Sequence, residues 1–344
     1  MKIKTNVLII GAGHMGLALG SRLKVLNIDF LILDKHKHVG DQWRKRYQGL
    51  TLFTPNKLNR LPGFYIPHSQ GDYLTKDEFA DYLSEFALHH KLAIKTNCHV
   101  LKVTHDGMNE FSVFSEHGEI KAKQIVLATG AFNVPVKLFN GDTQFLQLGL
   151  EQLQRMDFKN QQILVVGDGA SGRQIAKKLS DKNKVYLAQG KERNLFPEHI
   201  LGLKTFSLLK WFGLLRLPKS FKIAQFLKSR DPFPDTDINN KALLALGVDL
   251  KSRVVAVGDE CITFDNGEKL APDIMINAIG YKDDFSFIHI PQLYQDNNKF
   301  DISGAETLGV FKIGQPWQHN RASGLICGAE FEVERLLEKL NTLK

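Results

Sequence analysis

At 344 residues, with 43% hydrophobic and 24% charged side chains, the chain is too long for one ordinary core and suits two globular domains. No apolar run approaches the roughly 20 residues of a membrane span, and the basic start Met1-Lys2-Ile3-Lys4 leads into a short strand rather than a signal peptide, so the expectation is a cytoplasmic protein. The formal charge of +8 would suit nucleic acid, but no nucleic-acid motif accompanies it, and a phosphorylated cofactor also calls for a basic cleft. Cys98, Cys261 and Cys327 lie far apart without a C-x-x-C pair, which argues against disulfides, a zinc site or a dithiol redox centre.

Val7-Leu8-Ile9-Ile10 reads as a buried parallel strand, and Gly11-Ala12-Gly13-His14-Met15-Gly16 as the G-x-G-x-x-G turn that follows it. In such a turn Gly11 allows the sharp bend, Gly13 lets a pyrophosphate approach, and Gly16 packs helix on sheet, while the helix N-terminus faces the phosphates. A helix through Leu17, Leu23 and Leu26 leads to the strand Phe30-Leu31-Ile32-Leu33 and then Asp34. Asp34 lies 23 positions after Gly11, near the ~20 expected of the acid that binds a ribose hydroxyl. Gly40-Asp41-Gln42-Trp43-Arg44 and the aromatic loop Tyr47 to Pro55 come next, where a flat ring system could be held.

Thr75-Lys76-Asp77-Glu78 is a capping box for a helix with Phe79, Leu83 and Phe86 on one face. His89 and His90, adjacent at its end, do not share a helical face as metal ligands would. Short strands over residues 99–129 close in Ala128-Thr129-Gly130.

The plan then repeats. Ile163-Leu164-Val165-Val166 leads into Gly167-Asp168-Gly169-Ala170-Ser171-Gly172, set 156 residues after the first turn, and a hairpin at Asn266-Gly267 precedes a strand ending Ala278-Ile279-Gly280. Two nested copies imply two dinucleotides. The second acid position is neutral Gln189, with Lys191 and Arg193 following and Glu192 between them, which favours a 2′-phosphate and thus NADPH.

Residues 204–230 carry Phe206, Trp211, Phe212 and several leucines among Lys and Arg. They read either as a basic amphipathic segment on a membrane surface or as an apolar wall folded over the cleft. The C-terminal block Gly314-Gln315-Pro316-Trp317-Gln318-His319-Asn320-Arg321-Ala322-Ser323 is expected to join the first unit, with a helix starting near Ser323 that could point its positive end at a bound ring.

The combination resembles the flavin-containing monooxygenase-like flavoproteins, including plant YUCCA-type enzymes. It rests on G-x-x-W-R at Gly40–Arg44, Y-x-x-L-x-L-x-x-P at Tyr47–Pro55, both glycine-terminated crossovers, and G-x-P-W-Q-H-x-R-x-S at Gly314–Ser323. The resemblance implies an α/β fold of two Rossmann-like dinucleotide domains, one inserted in the other: residues 1–150 with 275–344 for FAD, and 151–274 for NADPH. It implies a monooxygenase in which NADPH reduces FAD, dioxygen adds at the flavin, and one oxygen atom passes to a small, apolar substrate.

Motifs and resemblance together assign cofactor contact to Gly11, Gly13, Met15, Gly16, Asp34, Lys35, Gln42, Trp43, Arg44, Thr54, Pro55, Val100, Ala128, Thr129, Gly130, Gly167, Gly169, Ala170, Ser171, Gly172, Lys191, Arg193, Gly280, Gln318 and Ser323. Gln318 and His319 are the candidate catalytic side chains; no metal is expected, and a homodimer is compatible with the sequence. Two departures stand out. The fingerprint F-x-G-x-x-x-H maps onto Phe139-Asn140-Gly141 but ends in Phe145, and Ala170 replaces the usual asparagine of the second turn. An enzyme that cannot keep the oxygenated flavin would act as an NADPH oxidase or reductase instead.

Overall fold

The computed structural model describes residues 3–66, 71–107, 110–190, 193, 195–230, 232–294, 300–301 and 305–341. β1 (Ile3–Ile10) feeds α1 (His14–Val25) and then β2 (Phe30–Leu33), all parallel, with Val7 opposite Phe30. The last four residues of β1 are buried on both faces, as a central strand of a covered parallel sheet requires. After α2 (Asp41–Arg44) and α3 (Lys76–His89), the sheet continues with β3 (Ile94–Lys95), β4 (Val100–His105), β5 (Phe111–Ser115) and β6 (Gly118–Leu127). Their order is β3-β2-β1-β6-β5-β4, and the strand Val310–Lys312 lies parallel against the end of β6.

Side-chain alternation divides this sheet's surroundings. Val7 and Ile9 face Leu17, Leu19 and Leu23 of α1, Phe79 and Phe86 of α3, and Val333 and Leu337 of the C-terminal helix Ala329–Asn341. Leu8 and Ile10 face the other way, onto Val103, Phe111, Ile125, Ile288 and Val310. Fully burying each such aliphatic or aromatic side chain contributes about 1.5–3 kcal/mol, so the sheet position of β1 is over-determined. The capping box at Thr75 is formed, with the Glu78 carboxylate accepting from the Thr75 amide and the Thr75 hydroxyl from the Glu78 amide.

The chain leaves the first sheet through β7 (Val134–Pro135), which pairs antiparallel with Tyr281–Lys282 on the return. Between these crossings lie β8 (Leu146–Gly149), β9 (Gln162–Val166), α4 (Ala170–Leu179) and β10 (Lys184–Ala188). They build a second parallel sheet in the order Asp249–Lys251, β10, β9, Ile274–Asn277, β8. Strand pairing thus puts Leu146–Gly149 and Ile274–Asn277 in the second sheet, whereas the sequence reading split the chain at 150 and 275. The reason is non-local: both segments are apolar runs beside a crossing, and only their partners β9 and one another show which sheet they join. One face of the second sheet carries α4 through Ile175 and Leu179, and the other carries the antiparallel strands Val254–Val257, Ile262–Phe264 and Lys269–Leu270. Among the described residues no helix is long and apolar enough to cross a membrane.

Candidate functional site

The two glycine turns have the same construction. Gly11 adopts φ +113° and donates its N–H to Leu33 O at 2.7 Å, and a Cβ there would lie 2.4 Å from Ala128 O. Gly167 adopts φ +102° and donates to Ala188 O at 3.1 Å, and a Cβ there would lie 2.6 Å from Ala278 O. The third glycines pack onto the first: a Cβ on Gly16 would stand 2.0 Å from Gly11 O, and one on Gly172 1.8 Å from Gly167 O. Only glycine meets these demands. The middle glycines differ in kind. Gly169 has nothing within 4 Å of where its Cβ would stand, and Gly13 has only Gln42 Oε1 at 3.5 Å, so each looks into open space at the N-terminus of α4 or α1. Neither helix has a side-chain cap, so their first N–H groups remain available to an anion.

Both turns open into one cleft of about 930 Å³ that lies between the sheets. Gly13, His14 and Met15 border it from the first turn, Gly167 to Ser171 from the second, and Gly130 and Gly280 from the two crossings. Trp43, Phe53, Phe132, Phe233, Ile313 and Trp317 give it an apolar lining. A second cavity, of about 310 Å³, runs from Gly11 past Asp34, Lys35, Val100 and Thr129, and shares Gln42, Arg46, Ala128, Phe132 and Tyr281 with the large one.

Asp34 stands at the tip of β2 as the acid position requires. Its Oδ2 accepts from the Ala12 amide at 2.7 Å, and its Oδ1 from the His36 amide and ring at 2.8 and 2.9 Å. Burial raises its pKa, but the His36 and Ala12 hydrogen bonds outweigh that and hold the carboxyl below its usual range. In the second copy the acid comes from the turn instead. Asp168 is buried, accepts from the Gly190 amide at 3.4 Å and from Arg193 Nε at 3.3 Å, and pairs with the buried Arg173 at 3.4 Å. Asp168 thereby fixes a cation, Arg193, at the tip of β10, beside a 760 Å³ cavity that also contains Lys251 and Arg253. Lys191, the other cation expected here, lies outside the described residues.

The C-terminal loop closes the cleft. Gly314 sits so near the first turn that a Cβ would meet Met15 Cγ at 2.5 Å, and Gln315 Nε2 donates to Gly130 O at 2.9 Å. Trp317 is held at φ +58°, a left-handed conformation costing roughly 1–2 kcal/mol, which places its ring in the cleft wall.

Several residues of the expected set border neither cavity. Arg44 turns away, donating to Val39 O at 3.0 Å and pairing with Asp81 and Asp41, and it borders neither cavity. Thr54 and Pro55 are buried and border neither cavity, with the Thr54 hydroxyl given to Asn59, and Phe53 is the residue of that loop that reaches the lining. Gln318 folds inward, its Nε2 donating to Lys312 O at 2.6 Å. His319 Nδ1 contacts the buried Glu332 at 2.7 Å, and Ser323 donates to the same carboxylate at 2.8 Å. These three brace the loop through hydrogen bonds within the protein, and none of them borders either cavity. The helix expected near Ser323 begins only at Ala329, after turns at Arg321–Gly324 and Ile326–Gly328, so its positive end is not at the cleft. Phe145, in place of the family histidine, is buried among Leu164, Val166 and Met275 and borders neither cavity.

Two side chains that the sequence reading passed over do face it. Arg46 lies 3.9 Å from the centre of the Phe132 ring, borders both cavities, and has a buried Nε without a hydrogen-bond partner among the described residues. Burial pulls its guanidinium below the usual arginine range. A half-buried guanidinium with one buried N–H left over is a candidate contact for a ligand's acceptor or anionic group. His14, the first residue of α1, lines the large cleft with its Nε2 likewise unpartnered, and burial lowers its pKa to about 4. No local pattern marks Arg46, whereas His14 could have been found as the variable position of the first turn nearest the helix N-terminus. Among the described residues no cluster of His, Cys, Asp or Glu could hold a metal, and all three cysteines are free thiols.

Residues 8–196 match the pyridine nucleotide-disulphide oxidoreductase family. The CzcO-like oxidoreductase of Geobacillus kaustophilus is 34% identical, over 97% of this chain and 98% of its own. The indole-3-pyruvate monooxygenase YUCCA6 of Arabidopsis thaliana is 26% identical, over 98% of this chain and 91% of its own. The solved flavin-containing monooxygenase from Stenotrophomonas maltophilia shares the fold at a TM-score of 0.79, with 19% identity and 99% of each chain covered. With matching turns, a shared cleft and these relatives, the chain belongs to the pyridine nucleotide-disulphide oxidoreductase family.

Proposed function

We propose that the protein is an FAD-dependent, NADPH-consuming monooxygenase acting on a small apolar molecule. The observation that carries this reading is the opening of both glycine turns into one cleft, which allows two dinucleotides to meet with their reactive rings together. The residues suit the groups. Gly13 and Gly169 leave cradles that a Cβ would fill, Asp34 stands at the ribose position of the first turn, and Arg193 stands where a 2′-phosphate needs a cation. Bound flavin supplies hydride acceptance and oxygen activation.

The chain's own part is positioning and exclusion. Gly11 to Met15 with α1 hold the first pyrophosphate, Gly167 to Ser171 with α4 the second, and Arg46 and Gln42 bridge the two cavities. Trp43, Phe53, Phe132 and Trp317 keep water from the meeting point and offer an apolar surface to substrate. Among the described residues His14 and Asp168 are the only histidine and carboxylate that border the cleft, and Asp168 is paired with Arg173 and Arg193, so few side chains need move protons.

Burial of Phe145 favours one second reading, an NADPH oxidase or reductase, since no imidazole stands at that point to hold spent NADP⁺ in place. Stopped-flow absorbance separates the two. The flavin-loaded protein, reduced anaerobically by NADPH and mixed with dioxygen, should pass through a transient species lasting seconds before oxidised flavin returns. Direct return with stoichiometric hydrogen peroxide would replace the monooxygenase by the oxidase.

A further inference from the structure

Residues 199–230 contain seven Lys and Arg and not one Asp or Glu, in a chain whose whole formal charge is +8. They form a short hairpin (His199–Ile200 with Leu203–Lys204), α5 (Thr205–Trp211) and α6 (Lys222–Arg230). The segment is anchored from below: Phe206 and Leu215 pack with Leu58 and Ala322, and Lys219 Nζ donates to Gln318 O at 2.9 Å. Its outer surface is unlike the rest of the molecule. Leu201 is 98% exposed, Trp211 77%, Phe212 67%, Phe226 60% and Ile223 59%, and Ala224 is the one buried residue of α6. Lys210, Lys222 and Lys228 are interspersed with these side chains and make no ion pair among the described residues.

Large apolar side chains in water beside unpaired cations are an unfavourable surface unless something apolar and anionic covers them. A second copy of the chain would bring the same seven cations against these, and like charges oppose that contact. A soluble polyanion would satisfy the lysines but leave Leu201, Ile223 and Phe226 in water. We infer that this face docks on the surface of an anionic lipid bilayer, with Trp211, Phe212 and Phe226 entering the headgroup–acyl boundary and Lys210 and Lys222 meeting lipid phosphates. The contact is peripheral and reversible, and Lys228, which borders the cleft, places the cleft mouth next to it. An apolar substrate could then enter from the bilayer.

The test is flotation of the full flavin-loaded chain with vesicles of phosphatidylcholine alone and of phosphatidylcholine with 30% (by design, about one lipid in three) phosphatidylglycerol. Binding to the anionic vesicles is expected, with a blue shift of tryptophan emission from Trp211, the most exposed of the three tryptophans. Each neutralised lysine should cost roughly fivefold, so Lys210→Gln with Lys222→Gln should weaken binding on the order of 25-fold. Trp211→Ser with Phe226→Ser should abolish the blue shift and most of the binding at unchanged charge. All four positions are exposed and lie outside the cleft, and NADPH consumption in solution reports that the variants remain folded. Absence of flotation at low salt would overturn the inference. So would equal binding by the lysine variants, or binding to DNA or an acidic polypeptide that the Trp211 and Phe226 changes leave intact.

Discussion

Gly169→Ala separates the protein's needs from the ligand's. The backbone at Gly169 is at φ −68° and ψ 177°, which alanine adopts without strain, and no atom lies within 4 Å of the added methyl. The folded protein should therefore tolerate the change. Restriction of the unfolded chain should even raise stability by about 0.4–1 kcal/mol. If a pyrophosphate rests on this turn, the methyl occupies its place, and overpacking of about 1–3 kcal/mol predicts a roughly 5- to 150-fold loss of NADPH affinity. FAD content should not change, because Gly13 belongs to the other turn. The contrasting variant Gly172→Ala drives a Cβ to 1.8 Å from Gly167 O and must displace backbone, so it should lose stability whether or not nucleotide is present. Thermal melts of both variants, with NADPH titration of the flavin-loaded protein, provide the comparison. Unchanged NADPH affinity in Gly169→Ala would refute the assignment of the second turn to a pyrophosphate. A stability loss in Gly169→Ala equal to that of Gly172→Ala would refute the reading of the open cradle.

Arg193→Glu should weaken NADPH about tenfold or more while leaving NADH little changed, since a charge-assisted contact to phosphate contributes about 1.5–3 kcal/mol; initial rates with the two nucleotides report it, and a parallel loss for both would contradict the 2′-phosphate role. Arg46→Met removes a partly desolvated cation that has no ion pair among the described residues, so the apoprotein should be as stable as the parent or more so, while flavin affinity falls about tenfold or more; a destabilised apoprotein with normal flavin binding would show that Arg46 serves the fold. His14 supplies a pH dependence whose sign follows from burial. Its folded pKa of about 4 lies below the unfolded 6.5, so the unfolded chain binds the extra proton between these values. Stability should be full above pH 6.5 and decline by up to about 3 kcal/mol as pH falls towards 4. His14→Gln should flatten that decline in denaturant titrations of the apoprotein, and identical profiles for the two proteins would contradict it.

Much of this site was legible in the chain because its signals are local. A run such as Val7–Ile10 followed by three glycines at fixed spacing admits few backbone solutions, and the same spacing at Gly167–Gly172 gave the same hydrogen bonds and close approaches. Side-chain direction is a different matter. Arg44 and Arg46 are two residues apart on and just after a short helix, and only the packing of α2 against α3 decides that Arg44 meets Asp81 while Arg46 meets Phe132. Gln318 and His319 sit in a motif that resembles the family's, yet the loop consumes their polar groups through Lys312 O and Glu332, partners that no spacing rule identifies. The role of Asp168 is hidden for a non-local reason. Its role depends on a strand tip 22 residues downstream that β10 brings beside the turn.

The most direct test of the account is anaerobic titration of the purified protein with NADPH, following flavin absorbance. The two-turn cleft predicts a protein that carries FAD and is bleached by stoichiometric NADPH, with the bleaching lost in Gly169→Ala at low nucleotide and restored at high. A protein that binds no flavin, or whose bound flavin NADPH cannot reduce, would contradict it.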